Sequence, residues 1–364
     1  MDSLSEAREK INEIDREMAR LFARRMAAAK DISEYKRQHG LPVLDAAREA
    51  ELIKRCSSYI KDDEIRAYYI NFLKSNMKIS RRYQQRLQQG MSAAYCGIEG
   101  SFAAIAAAKI FPDAQRIPCG SFAAAWNAVS SGECDCAVLP LENSSNGEVG
   151  QVIDLMMFDG SLYVNHIYEL GVMQNLLGIK GAKTADIRQV MSHEQALGQS
   201  ADFLEKHGIT PISAVNTAVA AQRVAQLQDI HTGAVGSEET AALYGLDILE
   251  RRINSGDGNR TRFAVFSRTL DTAGGGERNS ILLFKVSDKA GALAKAINII
   301  GLFDFNMRVL RSRPTKDWGF SYYFYAELQG DVSGENGRLM CRQLEADCEG
   351  LKIAGTYRCD EIKE

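Results

Sequence analysis

The sequence predicts a multidomain chain in which an all-α domain precedes a two-lobed α/β domain and a small α+β domain. Residues 4–38 contain neither Gly nor Pro and carry apolar residues at helical spacing. From residue 93 strands alternate with helices, which is typical of an α/β fold. From residue 280 the predicted order is βαββαβ, which is typical of a ferredoxin-like fold. We place the domains at residues 1–90, 91–268 and 279–364.

Composition narrows the class of protein. A net charge of −3 over 364 residues gives no basic surface for nucleic acid, and no apolar run approaches the ~18 residues of a membrane span. The start of the chain has no signal-peptide pattern. The eight cysteines form no CxxC pair, and the five histidines form no HxxxH pair. We therefore expect free thiols in a reducing cytoplasm, no metal and no cofactor.

The first domain is predicted to be three helices. The first spans residues 4–38 and stops at Gly40 and Pro42. The others span residues 48–59 and 63–88. Two apolar sets are expected to be buried: Ile11, Ile14, Met18, Leu21, Phe22, Ala29 and Ile32 on the first helix, and Ile65, Tyr69, Phe72, Leu73 and Ile79 on the third.

Two cations interrupt the apolar stripe of the first helix. Arg25 and Lys36 are eleven residues apart, which places them within about 20° of each other around the axis. Cations on a buried stripe either meet an anion or reach solvent at its edge. Arg8 lies roughly 25 Å from Arg25 along the axis. One small ligand can contact both only if a second copy supplies Arg8, so we expect a homodimer or a higher homo-oligomer.

The polar residues of this domain resemble those of the all-helical chorismate mutases in order and approximate spacing. The matching positions are Arg8, Arg25, Lys36, Asp45, Arg48, Glu49, Ser80 and Gln84. The resemblance implies that the arginines bind the carboxylates of chorismate, that Lys36 and Gln84 contact its ether oxygen, that Glu49 contacts its ring hydroxyl, and that Asp45 and Ser80 line the site. Arg81 and Gln85 are an alternative register for Ser80 and Gln84. A pericyclic rearrangement requires only that the site holds the compact conformer of the substrate and stabilises the charge that develops on the ether oxygen.

The second domain is predicted to fold as two lobes around a cleft, similar to periplasmic binding proteins. The first lobe has strands at 93–96, 115–118 and 136–141 with helices at 101–111 and 121–131. The second has strands at 189–192 and 232–235 with helices at 194–207 and 217–227. The chain is expected to return near 246–253 and to end in a strand at 263–267, which makes the first lobe discontinuous. Clefts of this kind are where small ligands bind.

A glycine-rich turn, residues 256–260, delivers Thr261 and Arg262 to this last strand. A hydroxyl beside a fixed cation suits an anionic substrate that exchanges a proton. The alternatives are a surface turn entering an edge strand and a glycosylation sequon at Asn259–Thr261.

Five loops resemble those of prephenate dehydratases, in the same order: residues 97–102, 139–147, 192–199, 236–246 and 259–263. The resemblance implies that prephenate loses water and carbon dioxide to give phenylpyruvate, with Thr261 as proton donor. Substrate binding is implied for Glu142, Asn143, Ser144, Ser192, Gln199 and Arg262. Glu194 stands where the family usually has proline, and Ala103 where it often has Ser or Thr.

The third domain follows a predicted flexible linker at 272–277. Its elements are expected at 280–286, 291–302, 306–312, 320–328, 334–347 and 352–357. Lys289–Leu293 at its first helix resembles the amino-acid-binding ACT domain, which implies phenylalanine as effector. The implied contacts are Gly291, Ala292, Leu293, Ser312, Arg313 and Pro314, and Arg311 replaces a family glutamate. A module that only dimerises the chain is the alternative.

Together the three segments resemble the bifunctional enzymes of phenylalanine biosynthesis, with both sites active and no cofactor. Two alternatives remain at this point: only the mutase site is active, or the chain is a non-catalytic two-lobed ligand-binding protein with an ACT sensor.

Overall fold

The computed structural model describes residues 3–255, 258–271, 277–315 and 321–362. The chain divides into two compact units, Met1–Met91 and Ser92–Glu364. No helix within the described ranges is long and apolar enough to cross a membrane.

The first unit contains three helices, α1 (Ser3–Gln38), α2 (Ala46–Ser57) and α3 (Asp63–Gln89). Asp45 caps α2 by accepting from the Arg48 amide, and Asp62 caps α3 by accepting from Glu64 and Ile65. The contact between α1 and α3 buries a short row of residues: Ala29 and Ser33 from α1, and Leu73, Met77, Ser80 and Gln84 from α3.

The expectation that the apolar stripe of α1 is buried is wrong for the single chain. Of the seven stripe residues only Ala29 is buried, whereas Ile11 and Ile14 are 58% and 56% exposed. On α3 only Leu73 of the expected set is buried, and Phe72 is 50% exposed. Three helices form a single thin layer, so each helix can cover only one face of another.

The second unit begins with an α/β lobe. Its elements are β1 (Ser92–Cys96), α4 (Phe102–Ile110), β2 (Gln115–Cys119), α5 (Phe122–Ser130), β3 (Cys136–Asn143), β4 (Gly147–Glu148), α6 (Gly150–Phe158) and β5 (Tyr163–Gly171). The second lobe comprises β6 (Asn175–Gly178), a 3₁₀ turn (Thr184–Asp186), β7 (Gln189–Ser192), α7 (Glu194–Gln199), α8 (Ala201–Lys206), β8 (Thr210–Ser213), α9 (Thr217–Leu227), β9 (Thr232–Gly236), α10 (Glu238–Tyr244) and β10 (Asp247–Glu250). The single helix expected at 194–207 is therefore two, separated at Ser200.

The chain returns to the first lobe through β11 (Arg260–Ser267). This strand is antiparallel to both β3 and β5 and lies between them. The sheet of the second lobe has the order β10-β6-β9-β7-β8. The predicted discontinuous first lobe and second lobe are thus confirmed, and Gly256 and Asp257 of the turn before β11 lie outside the described residues.

The C-terminal part of the second unit has the predicted βαββαβ order. Its elements are β12 (Asn279–Lys285), α11 (Ala292–Leu302), β13 (Asn306–Pro314), β14 (Tyr322–Gln329), α12 (Glu335–Asp347) and β15 (Gly350–Glu361), and the sheet order is β13-β14-β12-β15. We call this segment, residues 279–361, the C-terminal module. The predicted linker residues 272–276 and the predicted strand start at Phe320 lie outside the described residues.

One feature of the second unit was not expected from the sequence: β15 pairs in parallel with β5. The sheet of the C-terminal module thereby continues into the sheet of the first lobe. Gly355 permits the approach, because a Cβ atom there would lie 2.2 Å from the carbonyl oxygen of Val164. A shared core, which includes Leu139 and Phe266 from the lobe and Tyr323 and Tyr325 from the module, makes the two parts one packed body.

Candidate active sites

The two predicted site cations of α1, Arg25 and Lys36, both donate hydrogen bonds within the helical unit. Arg25 donates to the Ser80 hydroxyl and, at 3.4 Å, to the Asn76 carbonyl oxygen. Burial lowers the pKa of Arg25. Lys36 donates from Nζ to the Val43 carbonyl oxygen at 2.6 Å. Both cations are half-buried rather than extended into solvent.

The two candidate residues of α3 lie on the face that contacts α1. Ser80 is 5% exposed and Gln84 7% exposed, whereas Gln85 is exposed. This placement favours the Ser80/Gln84 register. Gln84 Oε1 is buried and accepts no hydrogen bond from the described residues. A buried polar atom without a partner costs free energy, so a ligand that satisfies it gains affinity.

The remaining candidates of the helical unit surround α2. Glu49 forms an ion pair with Arg81, and Arg48 pairs with Glu51 at 2.7 Å. Arg8 is exposed on α1. The structure thus joins Arg25 to Ser80, while Glu49 pairs with Arg81 of the alternative register and Arg48 pairs with Glu51, which was not predicted.

In the second unit, Thr261 and Asn143 meet across neighbouring strands. They are register partners of β11 and β3. Asn143 Nδ2 donates to Thr261 Oγ1 at 2.9 Å, and both residues are buried. Asn143 Oδ1 accepts from the amides of Ser145 and Asn146 at 3.1 and 3.2 Å, which shapes the turn that follows β3.

A chain of side-chain hydrogen bonds links this pair to the second lobe. Asn143 Nδ2 also donates to Asn259 Oδ1 at 2.8 Å, and Asn259 Nδ2 donates to Gln199 Oε1 at 2.9 Å. Ser144 Oγ accepts from the Arg260 amide at 3.0 Å. Four predicted residues, Thr261, Asn143, Ser144 and Gln199, are thus brought together where the lobes meet.

Asn259 was not predicted as a site residue, although it stands two positions before Thr261. Its bridging role depends on Gln199, sixty residues earlier, so its sequence position gave only a weak signal. Ser192 is fully buried at the end of β7 and donates to the Val235 carbonyl oxygen at 2.7 Å. Glu194 is exposed and accepts from Ser213 at 3.3 Å, so its carboxylate turns toward β8 rather than toward Thr261.

Arg262 and Glu142 have partners other than those expected. Arg262 donates to both carboxylate oxygens of Glu327 at 2.9 Å and to Glu142 at 3.2 Å. Burial by itself lowers the pKa of Arg262, but the ion pair with Glu327 raises it overall. Neighbouring residues of a strand point to opposite faces. Arg262 therefore faces the C-terminal module while Thr261 faces the lobe interface, and contact of both residues with one ligand stays a prediction.

The predicted effector residues occupy two places in the C-terminal module. Gly291, Ala292 and Leu293 form the start of α11, and Gly291 has a φ of +81° that suits glycine. Ser312, Arg313 and Pro314 lie on the edge strand β13. Arg313 donates to Asp154 at 3.0 Å and pairs with Glu148, and Arg311 pairs with Glu142. Both arginines thus bind carboxylates of the first lobe.

Comparison with known proteins assigns a family to each of the two regions that contain these residues. Residues 93–270 match the family model of prephenate dehydratase, and residues 7–85 match that of chorismate mutase type II. The chain is 33% identical over 283 residues to arogenate dehydratase/prephenate dehydratase 1, chloroplastic, of Arabidopsis thaliana, which covers 73% of this chain and 72% of the relative. It is 28% identical over 368 residues to the bifunctional chorismate mutase/prephenate dehydratase of Aquifex aeolicus, which covers 98% of both chains.

A solved structure shares the fold of the second unit. Prephenate dehydratase from Arthrobacter aurescens, in complex with L-Phe, superposes with a TM-score of 0.68 at 23% identity, over 73% of this chain and 89% of that one. The full-length match to a two-activity relative and the two family models assign both halves of the chain to enzymes. The chain therefore belongs to the family of bifunctional chorismate mutase/prephenate dehydratases.

Proposed function

We propose that each unit carries one activity: the helical unit rearranges chorismate to prephenate around Arg25, and the second unit converts prephenate to phenylpyruvate around Thr261. The observation that carries the second assignment is the hydrogen bond from Asn143 to Thr261. Because the hydroxyl accepts this bond from an N–H donor, its own proton stays available for a substrate.

In the dehydration step the bond between the prephenate ring and its carboxylate breaks, and carbon dioxide leaves. The electron pair moves through the ring, which becomes aromatic as the carbon–oxygen bond to the ring hydroxyl breaks. Thr261 gives its proton to the departing hydroxide, which leaves as water, and solvent then returns a proton to the Thr261 oxygen, whose transient negative charge is stabilised by the hydrogen bond from Asn143. Asn143, Ser144, Ser192 and Gln199 are the proposed substrate contacts. Glu142 and Arg262 lie next to this site, on the opposite face of the strands β3 and β11.

For the mutase step, the proposed carboxylate contacts are Arg25, Arg48 and an Arg8 from a second copy. Lys36 and Gln84 stabilise the ether oxygen and Glu49 contacts the ring hydroxyl, while Asp45 and Ser80 position these groups. The half-buried cations and the unpaired Gln84 oxygen support this assignment. The exposed apolar stripe of α1 supports a homodimer or higher homo-oligomer, because pairing would cover it.

For the C-terminal module we propose a ferredoxin-like ACT domain that binds phenylalanine. Its βαββαβ order and the L-Phe in the related Arthrobacter structure support this role. The proposed domain limits stay 1–90, 91–268 and 279–364. A cytoplasmic location also stays a prediction, supported by eight free cysteine thiols.

The decisive experiment is an absorbance assay of the purified protein with chorismate, prephenate or arogenate, each with and without phenylalanine. We expect phenylpyruvate from chorismate and from prephenate, and a lower rate with phenylalanine. Consumption of chorismate that stops at prephenate would leave only the mutase assignment. Turnover of arogenate alone would change the substrate of the second site.

A further inference from the structure

We propose that Glu327 and Arg311 of the C-terminal module are positioning residues for the dehydration site, and that they act through Arg262 and Glu142. This role rests on the proposed function of Thr261. It extends that function because neither residue belongs to the lobes that enclose the site.

The strand pair β3–β11 has a reaction face and a charged face. Thr261 is the register partner of Asn143, and the next residue, Arg262, is the register partner of Glu142. The register shifts directly after Arg262, so a bulge lies beside the pair. Because one backbone step separates the two faces, a displacement of Arg262 or Glu142 displaces Thr261 or Asn143.

Glu327 is a fixed anchor on the charged face. It is 3% exposed, and both of its oxygens accept from Arg262 at 2.9 Å. Tyr325 and Tyr357 donate to the same carboxylate at 2.6 and 2.5 Å. A two-pronged pair with further hydrogen bonds fixes the direction of the guanidinium as well as its distance. Arg262 therefore cannot shift without breaking a buried network.

Arg311 is a second anchor beside the first. It pairs with Glu142 and lies 3.7 Å from Glu148, whose strand β4 pairs with β3 at Glu142 and Asn143. Arg311 thus contacts one carboxylate on β3, that of Glu142, and one on β4, that of Glu148. These two strands flank the turn that carries Asn143 and Ser144. A glutamate at position 311 would instead add a third carboxylate to this cluster.

Backbone pairing between the C-terminal module and β5 also limits movement of the strands beside Thr261. Asp360 and Glu361 of β15 pair with Tyr168 and Glu169 of β5, and Glu169 is the register partner of Arg262. Since β11 lies between β3 and β5, the module contacts the strands on both sides of Thr261. The dehydration site is therefore built against the module.

The test is the Glu327→Gln variant of the full chain, assayed on prephenate. The change keeps the shape of the side chain and removes the charge that orients Arg262. We expect kcat for dehydration to fall about 10- to 100-fold, because a small misplacement of a reacting group has an effect of this size. The KM for prephenate should change less than about threefold, since the proposed substrate contacts stay in place. Circular dichroism and the thermal unfolding of the same preparation report whether the second unit is folded, since mutase activity reports only the helical unit.

A double-variant cycle separates positioning from direct substrate binding. If Arg262 and Glu327 act as one unit, Arg262→Gln should lower kcat to a similar extent, and the double variant should be no slower than the slower single variant. If Arg262 binds prephenate directly, Arg262→Gln should raise KM, and the two effects should multiply. That second pattern would overturn the proposal.

Asp154→Asn is the matched control, because it removes a carboxylate of α6 that pairs with Arg313 at the same interface, while Arg313 keeps its pair with Glu148. We expect its kcat to stay within about twofold of that of the wild type. An equal loss in this control would show a general loosening of the interface and contradict the specific role. If Glu327→Gln does not fold, Arg311→Gln provides the same test at a partly exposed side chain; full dehydratase activity in that variant would also overturn the proposal. An inactive wild type with an intact mutase would instead point to failure of the proposed function itself.

Discussion

At the residue scale, a side-chain amide orients the hydroxyl of Thr261. The amide of Asn143 donates to its hydroxyl, so the threonine proton is directed elsewhere. A threonine hydroxyl is a weak acid, and its usefulness depends on the connected amides that end at Gln199.

The first prediction concerns this hydroxyl. Thr261→Ala should lower prephenate turnover about 100-fold or more, the usual contribution of a positioned proton donor. Thr261→Ser keeps the hydroxyl and should retain much of the rate. The measurement is the appearance of phenylpyruvate, with circular dichroism as the folding control for the second unit. Undiminished turnover in the alanine variant would contradict the assigned role.

The second prediction concerns the cations of α1. Arg25→Ala and Lys36→Ala should each lower chorismate turnover about 100- to 1,000-fold, because each removes a charged donor aimed at the developing charge. Dehydratase activity should persist, since the second unit holds its own site. Lys30→Ala, at an exposed position of the same helix, is the control. A normal mutase rate in both variants would remove these residues from the site.

At the element scale, α1 carries an amphipathic pattern whose apolar side stays exposed in the single chain. Six of its seven stripe residues are more than 40% exposed. Such a contiguous apolar surface indicates an interface with another molecule. A second copy of α1 fits because it would also bring Arg8 toward Arg25.

The third prediction follows from this surface. Ile14→Glu places a charge on the stripe and should both shift the protein toward monomer and lower mutase activity, without affecting dehydration. Light scattering and the two activity assays measure these effects. Arg20→Glu changes charge on the opposite face of α1 and should leave the assembly intact. A monomeric variant with full mutase activity would show that Arg8 of a second copy is not needed.

At the scale of the whole molecule, a continuous sheet joins the C-terminal module to the dehydratase lobe. His166 lies in the joining strand β5, stacks on Tyr168 at 5.8 Å, and has a buried Nδ1 that finds no hydrogen-bond partner among the described residues. Burial lowers the pKa of His166 below 6.5. The folded state therefore favours the neutral imidazole at the place where the two parts meet.

The fourth prediction uses this titration. The unfolded chain takes up a proton at His166 below about pH 6.5, whereas in the folded chain the lowered pKa delays protonation to a lower pH. The free energy of unfolding should therefore fall as the pH drops below about 6.5. In His166→Gln the fall between pH 7 and pH 5.5 should be smaller. Denaturant unfolding at both pH values measures the difference. Equal pH dependence in the two proteins would show that His166 does not contribute.

The sequence determined the order and type of most elements, because helical and strand periodicities are local properties of a few neighbouring residues, although α6, β8 and α10 were not predicted. It also pointed to the Thr261 strand, the Asn143 turn and the polar residues of α1 and α3, since residue type already limits their chemistry. The split of residues 194–207 at Ser200 was missed, because a break of one turn leaves the apolar spacing almost unchanged.

Only the tertiary structure decided which side chains contact each other across the sheets. The pairing of Arg262 with Glu327 joins residues 65 positions apart, and that of Arg311 with Glu142 joins residues 169 positions apart. No local pattern encodes such contacts; they depend on β15 joining β5 and on the alternation of β11. For the same reason the apolar stripe of α1 was predicted to be buried, whereas most of it is exposed in the single chain. Periodicity shows that a face is apolar, but packing decides what covers it.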